Sequence, residues 1–196
     1  MIKHDLVKEI LISETQIKRR ISQLAVEVKK SYPNLKKPLV LIGILRGCLF
    51  FLSDFMMELS LSCAVDFMYV ESYAGGKARA FDPRIKLDIF TNIKDHDVLI
   101  VEDIIDSGRT LVKLVEHLKL KQPKSIKILT LLDKKVRREV EIEADWFGFE
   151  VPDSFLVGYG LDYQEQLRNL PYIAIADLEK IKKLEANQKT LVNSIN

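Results

Sequence analysis

The chain has 196 residues, 47% of them hydrophobic and 30% charged, with a formal net charge of +2. That length and balance exclude a disordered chain and suit one sizeable domain with a buried core, while so small a net charge offers no argument for nucleic acid. The apolar runs, such as Leu39 to Leu45, fall far short of a membrane span, and the charged start of the chain lacks the apolar segment of a secretory leader, so a cytoplasmic location is expected.

In chain order, Ile10 to Ile12 reads as a short strand. Ser13 caps the helix that follows, with Gln16 as its capping-box partner and an apolar stripe of Ile17, Ile21, Leu24 and Val28. Leu39 to Leu45 is a continuous apolar strand of the kind buried on both faces in a parallel sheet. Arg46 to Cys48 is a turn, and Leu49 to Leu59 an amphipathic helix with Phe50, Phe51 and Phe55. Ala64 to Val70 is a strand, residues 71–84 a long polar loop, and Ile85 to Phe90 a returning strand. Val98 to Val101 is a buried strand, Thr110 to Leu120 a helix, and Ser125 to Leu132 a further strand before the basic patch Lys134 to Arg138. Phe155 to Gly158 and Ile173 to Ala176 are late short strands, and from about residue 184 a polar, weakly helical tail is expected to fray.

Strands that alternate with helices predict an α/β fold with a mainly parallel, twisted sheet and a smaller appended subdomain. Ligands in such sheets bind outside the carboxyl ends of the strands. Cys48 and Cys63 read as buried reduced thiols, and no Cys or His pair has zinc-ligand spacing. His4, His96 and His117, each among charged neighbours, read as surface residues.

The Walker loop is absent, and the nearest approach to a dinucleotide fingerprint, at Gly158 to Tyr163, lacks its third glycine. What remains is the stretch VLIVEDIIDSGRT from Val98 to Thr110. Its Asp-Ser-Gly-Arg-Thr end reads as a turn feeding a helix, where backbone N–H groups hold an anion. Yet Glu102, Asp103 and Asp106 stand in the same stretch. Asp106 alone would pass as a helix cap. The adjacent Glu102 and Asp103 cost electrostatic energy unless they meet a cation or a donor-rich ligand. A phosphosugar with a pyrophosphate and Mg²⁺ satisfies both demands, with phosphate on the turn and hydroxyls and metal on the acids.

This stretch resembles the signature of the type I phosphoribosyltransferases, in the form of the 6-oxopurine branch, the hypoxanthine-guanine phosphoribosyltransferases. Leu45-Arg46-Gly47, Ser72-Tyr73, Lys134, and the run from Asp153 to Tyr163 with Arg168 match in the same order, so the resemblance spans about Ile10 to Ala176. It implies the type I phosphoribosyltransferase fold over residues 1–196, with a hood from the N- and C-terminal segments and a mobile loop near 72–85. The implied reaction joins a base to C1′ of phosphoribosyl pyrophosphate with loss of pyrophosphate, through an oxocarbenium-like transition state.

Carried over, the resemblance gives Glu102 and Asp103 the ribose hydroxyls, directly or through Mg²⁺, and Asp106 the purine N7 proton. Asp106, Ser107, Gly108, Arg109 and Thr110 wrap the 5′-phosphate, while Arg46 and Gly47 meet the pyrophosphate with help from Arg168. Many members have lysine where Arg46 stands, which changes the side-chain geometry. Lys134 donates to the 6-oxo group, Phe155 stacks on the purine, Leu156 offers backbone contacts, and Asp162 holds a second Mg²⁺. Ser72 and Tyr73 ride on a loop that closes over the site. Plainer readings stand beside these: Phe155 as core, Lys134 as a solvated cation, Arg168 as a surface ion pair, Tyr73 as a loop anchor. Trp146 reads as packing near the base site. The partners implied are the two small substrates and a second or further copies of the chain, as homodimer or homotetramer, with no nucleic acid and no membrane.

An acid at Asp106 argues for hypoxanthine, guanine or xanthine, since branches resembling uracil- or adenine-using enzymes usually lack it there; a xanthine-preferring enzyme stays open. The reading from another class is a nucleic-acid-binding regulator that senses phosphoribosyl pyrophosphate. Against it stand a first strand already under way by Ile10, leaving no room for an added helix-turn-helix, and a single basic cluster.

Overall fold

The computed structural model describes residues 3–71 and 83–193. Ser72, Tyr73 and most of the expected closing loop lie outside the described residues. The chain divides into two compact units, residues 15–153 and a smaller one made of residues 1–14 with 154–196.

The larger unit is an α/β sheet. Its seven-residue strand β2 (Leu39–Leu45) is buried in all but its last residue. It runs parallel to β3 (Cys63–Glu71) on one side and to β5 (Asp97–Ile105) on the other. A strand walled in by parallel neighbours and covered on both faces has no solvent side, which is why its sequence does not alternate. The strands β6 (Ser125–Asp133) and β7 (Trp146–Glu150) extend the parallel run, and β4 (Arg84–Leu87) closes the far edge antiparallel to β3, giving the order β4-β3-β2-β5-β6-β7.

Helices supply the two covering layers. Helix α1 (Glu14–Lys30) begins directly after Ser13 and buries Ile17, Ile21, Leu24 and Val28, the expected stripe. Helix α3 (Arg109–Lys119) buries Leu111, Leu114 and Leu118 against Val40, Ile42, Val98 and Ile100. Helix α2 (Leu49–Glu58) buries Phe51 and Phe55 but leaves Phe50 39% exposed. It approaches β2 closely at Gly43, where an added Cβ would lie 2.6 Å from Leu52 Cδ2 and 3.0 Å from Cys48 Sγ. A glycine there draws the turn after β2 down onto the sheet.

The smaller unit has its own sheet, β1 (Val7–Ile12) and β8 (Leu156–Val157) each antiparallel to a central β9 (Ile173–Ala176). Val7, Val157, Tyr172, Ala174, Ala176 and Ile181 form its core, and Ile181 belongs to helix α4 (Leu178–Asn193).

Several expectations need correction. The first strand starts at Val7, not Ile10. The weakly helical tail expected from residue 184 is a helix, α4, and it starts earlier, at Leu178, where the Asp177 carboxylate accepts the Lys180 N–H at 3.0 Å as a cap. The returning strand stops at Leu87, because the Asp66 carboxylate captures the N–H groups of Phe90 and Thr91 at 2.8 and 2.7 Å. Strand β7 was not anticipated: it is short, and Gly148, whose added Cβ would meet the Leu131 carbonyl oxygen at 2.5 Å, interrupts the aromatic alternation. Trp146 opens that strand level with Leu129 in the middle of β6, and lies 6.4 Å from the Tyr32 ring with Lys127 over it. Of the histidines only His4 is fully exposed; His117 pairs with Asp88 at 2.9 Å, and His96 sits 3.3 Å from the Pro38 carbonyl. Cys48 is buried and Cys63 half-buried, both free.

Candidate active site

From β2 the chain moves outward to β3, then returns to β5 on the opposite flank of β2 and steps outward again to β6 and β7. The reversal falls between β2 and β5, and ligands of open α/β sheets sit at the carboxyl side of such a reversal. Arg46 and Gly47 follow β2, Asp106 follows β5 and Lys134 follows β6, all at this one edge.

The two central strand ends interlock. An added Cβ at Gly47 would run into the Asp103 carboxylate, so glycine is required for this close approach. Asp103 Oδ1 also accepts the Ile104 N–H at 2.8 Å. The Glu102 carboxyl is pushed well above the usual range by burial and then by the charge of Asp103, and its Oε2 is buried with no hydrogen-bond partner. The Cys48 thiol is pushed up as well, first by burial and then by Glu102 and Asp103. Burying one carboxyl beside another in this way costs free energy, and the unpartnered oxygen of Glu102 is where that cost stands uncompensated among the described residues. Strand β5 carries both acids: it runs four residues past the expected end, to Ile105, so Glu102 and Asp103 are strand residues and only Asp106 stands in the turn.

The turn itself is a cradle. Gly108 is the N-cap of α3 with φ of 82°, a left-handed conformation that glycine adopts without strain. The N-cap position is held by Gly108 and not by Asp106, so the plainer reading of Asp106 as a cap does not hold. The N–H of Arg109 points to Ser107 Oγ at 3.4 Å, and Thr110 stands in the first helical turn. The Arg109 side chain turns outward to Glu139 at 2.6 Å, leaving its backbone to the cradle. Asp106 faces two cations, Arg137 Nε at 3.5 Å and Lys134 Nζ at 3.9 Å. Lys134 is only 6% exposed, which removes the reading of a solvated surface cation. Arg46 is exposed, its guanidinium 5.8 Å from the Tyr69 ring, and the Leu45–Arg46 peptide is cis.

In the smaller unit, the loop after β8 is tightly wound. Gly158 and Gly160 have φ of 95° and 105°, and Tyr159, Gln164, Glu165 and Leu167 are also left-handed. Arg168 knots it by donating to the Gly160 carbonyl at 2.8 Å and pairing with Asp162 at 2.8 Å and Glu165 at 3.1 Å, while its Nε is buried without a partner. Asp162 also accepts the Glu165 N–H at 2.8 Å, so its carboxylate is occupied within the loop. Phe155 is 44% exposed and stands edge-on to Tyr163 at 5.6 Å, which makes it a presented ring and not core. Leu156 is buried in β8.

Three residues escaped the sequence reading. Asp133, Arg137 and Arg138 all bear on the turn: Arg137 through the Asp106 carboxylate, Arg138 through the Asp106 carbonyl and through Asp133. The basic patch was visible, but nothing in its spacing separates an arginine that is folded inward from one in water.

A phosphate-holding helix start, an acid pair beside it and a buried lysine across from it, all at the reversal of a parallel sheet, define a protein that binds a phosphorylated sugar. The family model described as the phosphoribosyl transferase domain matches residues 8–164. The hypoxanthine phosphoribosyltransferase of Escherichia coli K12 is 47% identical over 165 residues, covering 84% of this chain and 93% of that protein. The hypoxanthine-guanine phosphoribosyltransferase of Bacillus subtilis is 46% identical over 175 residues, covering 89% and 96%. A crystal structure of a hypoxanthine phosphoribosyltransferase from Staphylococcus aureus has a TM-score of 0.84 at 42% identity, covering 90% of this chain and 95% of that one. The chain belongs to the phosphoribosyltransferase family, in its hypoxanthine-guanine branch.

Proposed function

We propose that the chain transfers the 5-phosphoribosyl group of phosphoribosyl pyrophosphate to hypoxanthine or guanine, giving IMP or GMP and pyrophosphate in purine salvage. The observation that carries the reading is the juxtaposition of the Gly108-capped cradle with the Glu102 carboxyl, one oxygen of which is buried without a partner, next to Asp103, which lies against Gly47. One holds an anion and the other seeks hydroxyls or a cation, as the two ends of this substrate require.

In this reading the N–H groups from Ser107 to Thr110 bind the 5′-phosphate, and Glu102 and Asp103 hold the ribose. Asp106 takes or shares the N7 proton of the base, assistance typically worth about 10²–10⁴ in rate. Lys134, buried beside Asp106, donates to the 6-oxo oxygen. Arg46 and Gly47 meet the pyrophosphate. Phe155 stacks on the purine, Leu156 offers backbone groups to its edge, and Arg168 exchanges its loop partners for the leaving group. Ser72 and Tyr73 close over the reacting carbon and exclude water.

Mg²⁺ fits the same residues. This ion is usually bound by one or two carboxylates together with substrate phosphates, and Glu102 with Asp103 supplies that share, one oxygen of Glu102 being buried and unpartnered. When bound, the metal offsets charge on the pyrophosphate. Substrate phosphates and water would complete the shell around these carboxylates. For a second ion at Asp162, the pairing with Arg168 has to open first.

A cytoplasmic location and a homodimer or homotetramer belong to the same proposal. Free thiols at Cys48 and Cys63 suit a reducing compartment, and the apolar Leu49, Phe50 and Met57 on α2 are exposed and suit contact with a second copy. Among the described residues no helix is long and apolar enough to cross a membrane.

The test is nucleotide formation from phosphoribosyl pyrophosphate and Mg²⁺ with hypoxanthine, guanine, xanthine, adenine and uracil offered separately. Product is expected with hypoxanthine or guanine and not with adenine or uracil; product with xanthine alone would move the preference. Folded protein that binds phosphoribosyl pyrophosphate yet makes no nucleotide would turn the reading to a sensor.

A further inference from the structure

The segment from Asp133 to Glu139 grips the phosphate cradle by three successive carbonyls. The Lys134 N–H donates to the Ile105 oxygen at 3.0 Å, and the Glu139 N–H donates to the Ser107 oxygen at 3.0 Å. Between them, the Arg138 guanidinium donates to the Asp106 oxygen. A trans peptide is planar, so its C=O and N–H point in opposite directions. Holding these three carbonyls from the strap turns the next N–H groups, those of Asp106, Ser107 and Gly108, the other way. Successive N–H groups turned to one side are what make a backbone anion nest.

Two of the three grips are backbone bonds, indifferent to sequence. The middle one is not. Arg138 spans the Asp106 carbonyl and the Asp133 carboxylate, and the two side chains are 16% and 5% exposed. A carboxylate so buried demands a cation, and only a guanidinium presents donors in a fork that reaches two acceptors at once. The strap and the residues just after it also lie directly on the turn: an added Cβ at Gly108 would meet Ile142 at 2.6 Å, Val140 at 3.0 Å and Arg138 Cδ at 3.2 Å.

We propose that Arg138, braced by Asp133, is a positioning residue for the 5′-phosphate cradle, acting through the Asp106–Ser107 peptide and touching no substrate. The inference rests on the proposed phosphoribosyl transfer. It predicts that Arg138 sets affinity for whatever carries the 5′-phosphate and leaves ligands without one alone.

The experiment compares Arg138→Met, Arg138→Lys and Asp133→Asn with the unaltered protein by titration calorimetry with IMP and with inosine, by KM and kcat for phosphoribosyl pyrophosphate, and by thermal melting. For both Arg138 variants IMP binding and KM for phosphoribosyl pyrophosphate should worsen about tenfold, with inosine binding unchanged and kcat less affected than KM. Lysine should not rescue, because one ammonium cannot bridge both acceptors as the fork does. Asp133→Asn, which keeps the guanidinium on the carbonyl, should show the same pattern more weakly, and it serves if Arg138→Met does not fold. A lower melting temperature with an unchanged ratio of IMP to inosine affinity would overturn the proposal, as would equal weakening of both ligands. Unaltered protein that makes no nucleotide would remove the functional reading together with the proposal; active protein with an insensitive ratio removes the positioning role alone.

Discussion

The two edges of the six-stranded sheet treat their acids in opposite ways. At the amino edge Asp97 opens β5 with its carboxylate fully served, by Lys124 at 2.7 Å and by the Ser125 hydroxyl at 2.6 Å. Burial pushes its pKa up, but those bonds outweigh it and the carboxyl is held below the usual range. Asp145, just before β7, likewise accepts the Ile128 N–H at 2.8 Å. Five residues further along the same β5, Glu102 is buried, pushed the other way, and left with an unpartnered oxygen. One strand thus begins with an acid that stabilises the fold and ends near one that destabilises it. Only the second has a free-energy reason to bind something else, and that difference marks the carboxyl edge as the working one.

Changes at the carboxyl edge should abolish chemistry while sparing the fold. Asp106→Asn removes the proposed proton acceptor and should lower kcat by about 10²–10⁴, with the melting temperature held; steady-state turnover with hypoxanthine decides, and a fall below tenfold would remove Asp106 from proton transfer. Gly47→Ala drives a methyl group into the Asp103 carboxylate and should cost about 10²-fold in kcat/KM, because both the proposed pyrophosphate turn and the acid proposed for the ribose are displaced.

Glu102→Gln sharpens the contrast, since activity and stability should move in opposite directions. The Glu102 carboxyl is raised in the folded state, so the folded protein binds the proton more tightly than the unfolded chain does. Stability is therefore lost as pH climbs above the ordinary glutamate value of about 4.3 toward the folded value. The variant should melt like the unaltered protein at low pH and higher than it at neutral pH, by about 1 kcal/mol or more, while losing activity. Equal melting at every pH would mean that Glu102 carries no such penalty.

At the amino edge the order reverses. Asp97→Asn should leave kcat/KM unchanged and cost about 1–2 kcal/mol at neutral pH. The Asp97 carboxyl is lowered in the folded state, so its contribution is present above about 3.9 and lost as pH falls through the folded value; the melting difference should vanish in acid. The smallest effect is expected from Tyr32→Phe. The Tyr32 hydroxyl is buried without a hydrogen-bond partner, and burial raises its pKa, with Asp97 and Asp145 adding to the rise. Its removal should be neutral or stabilising by under about 1 kcal/mol; clear destabilisation in a denaturant titration would show that the hydroxyl has a partner after all.

Much of this was readable beforehand, for reasons particular to each element. The strand from Leu39 to Leu45 declared itself because a strand buried on both faces must be apolar throughout. The stripe of α1 declared itself because a helix that covers one face repeats its apolar residues at helical spacing. β7, which went unread, and α4, of which only a weakly helical tail was legible, have weak signals: one is short and broken by Gly148, the other is polar along most of its length. The carboxyl end of β5 misled in a different manner. Asp and Glu are poor strand formers by propensity, yet parallel pairing with β6 through Ile104 and Ile105 carries the strand past both acids.

What the sequence determined by itself was the order of strands and helices, the family, and the set of residue types at each strand end, because those follow from local patterning and from a signature contiguous in the chain. Which of those groups are satisfied and which are not belongs to the tertiary structure alone. Asp97 and Glu102 are both acids in one apolar strand, and only packing decides that Lys124 and Ser125 reach the first while nothing described reaches the buried oxygen of the second. Arg137 and Arg138 are neighbours in one basic patch, and only the fold sends the first to the Asp106 carboxylate and the second to the carbonyl of the same residue. Charge is a property of composition; desolvation and hydrogen-bond geometry arise when distant segments meet.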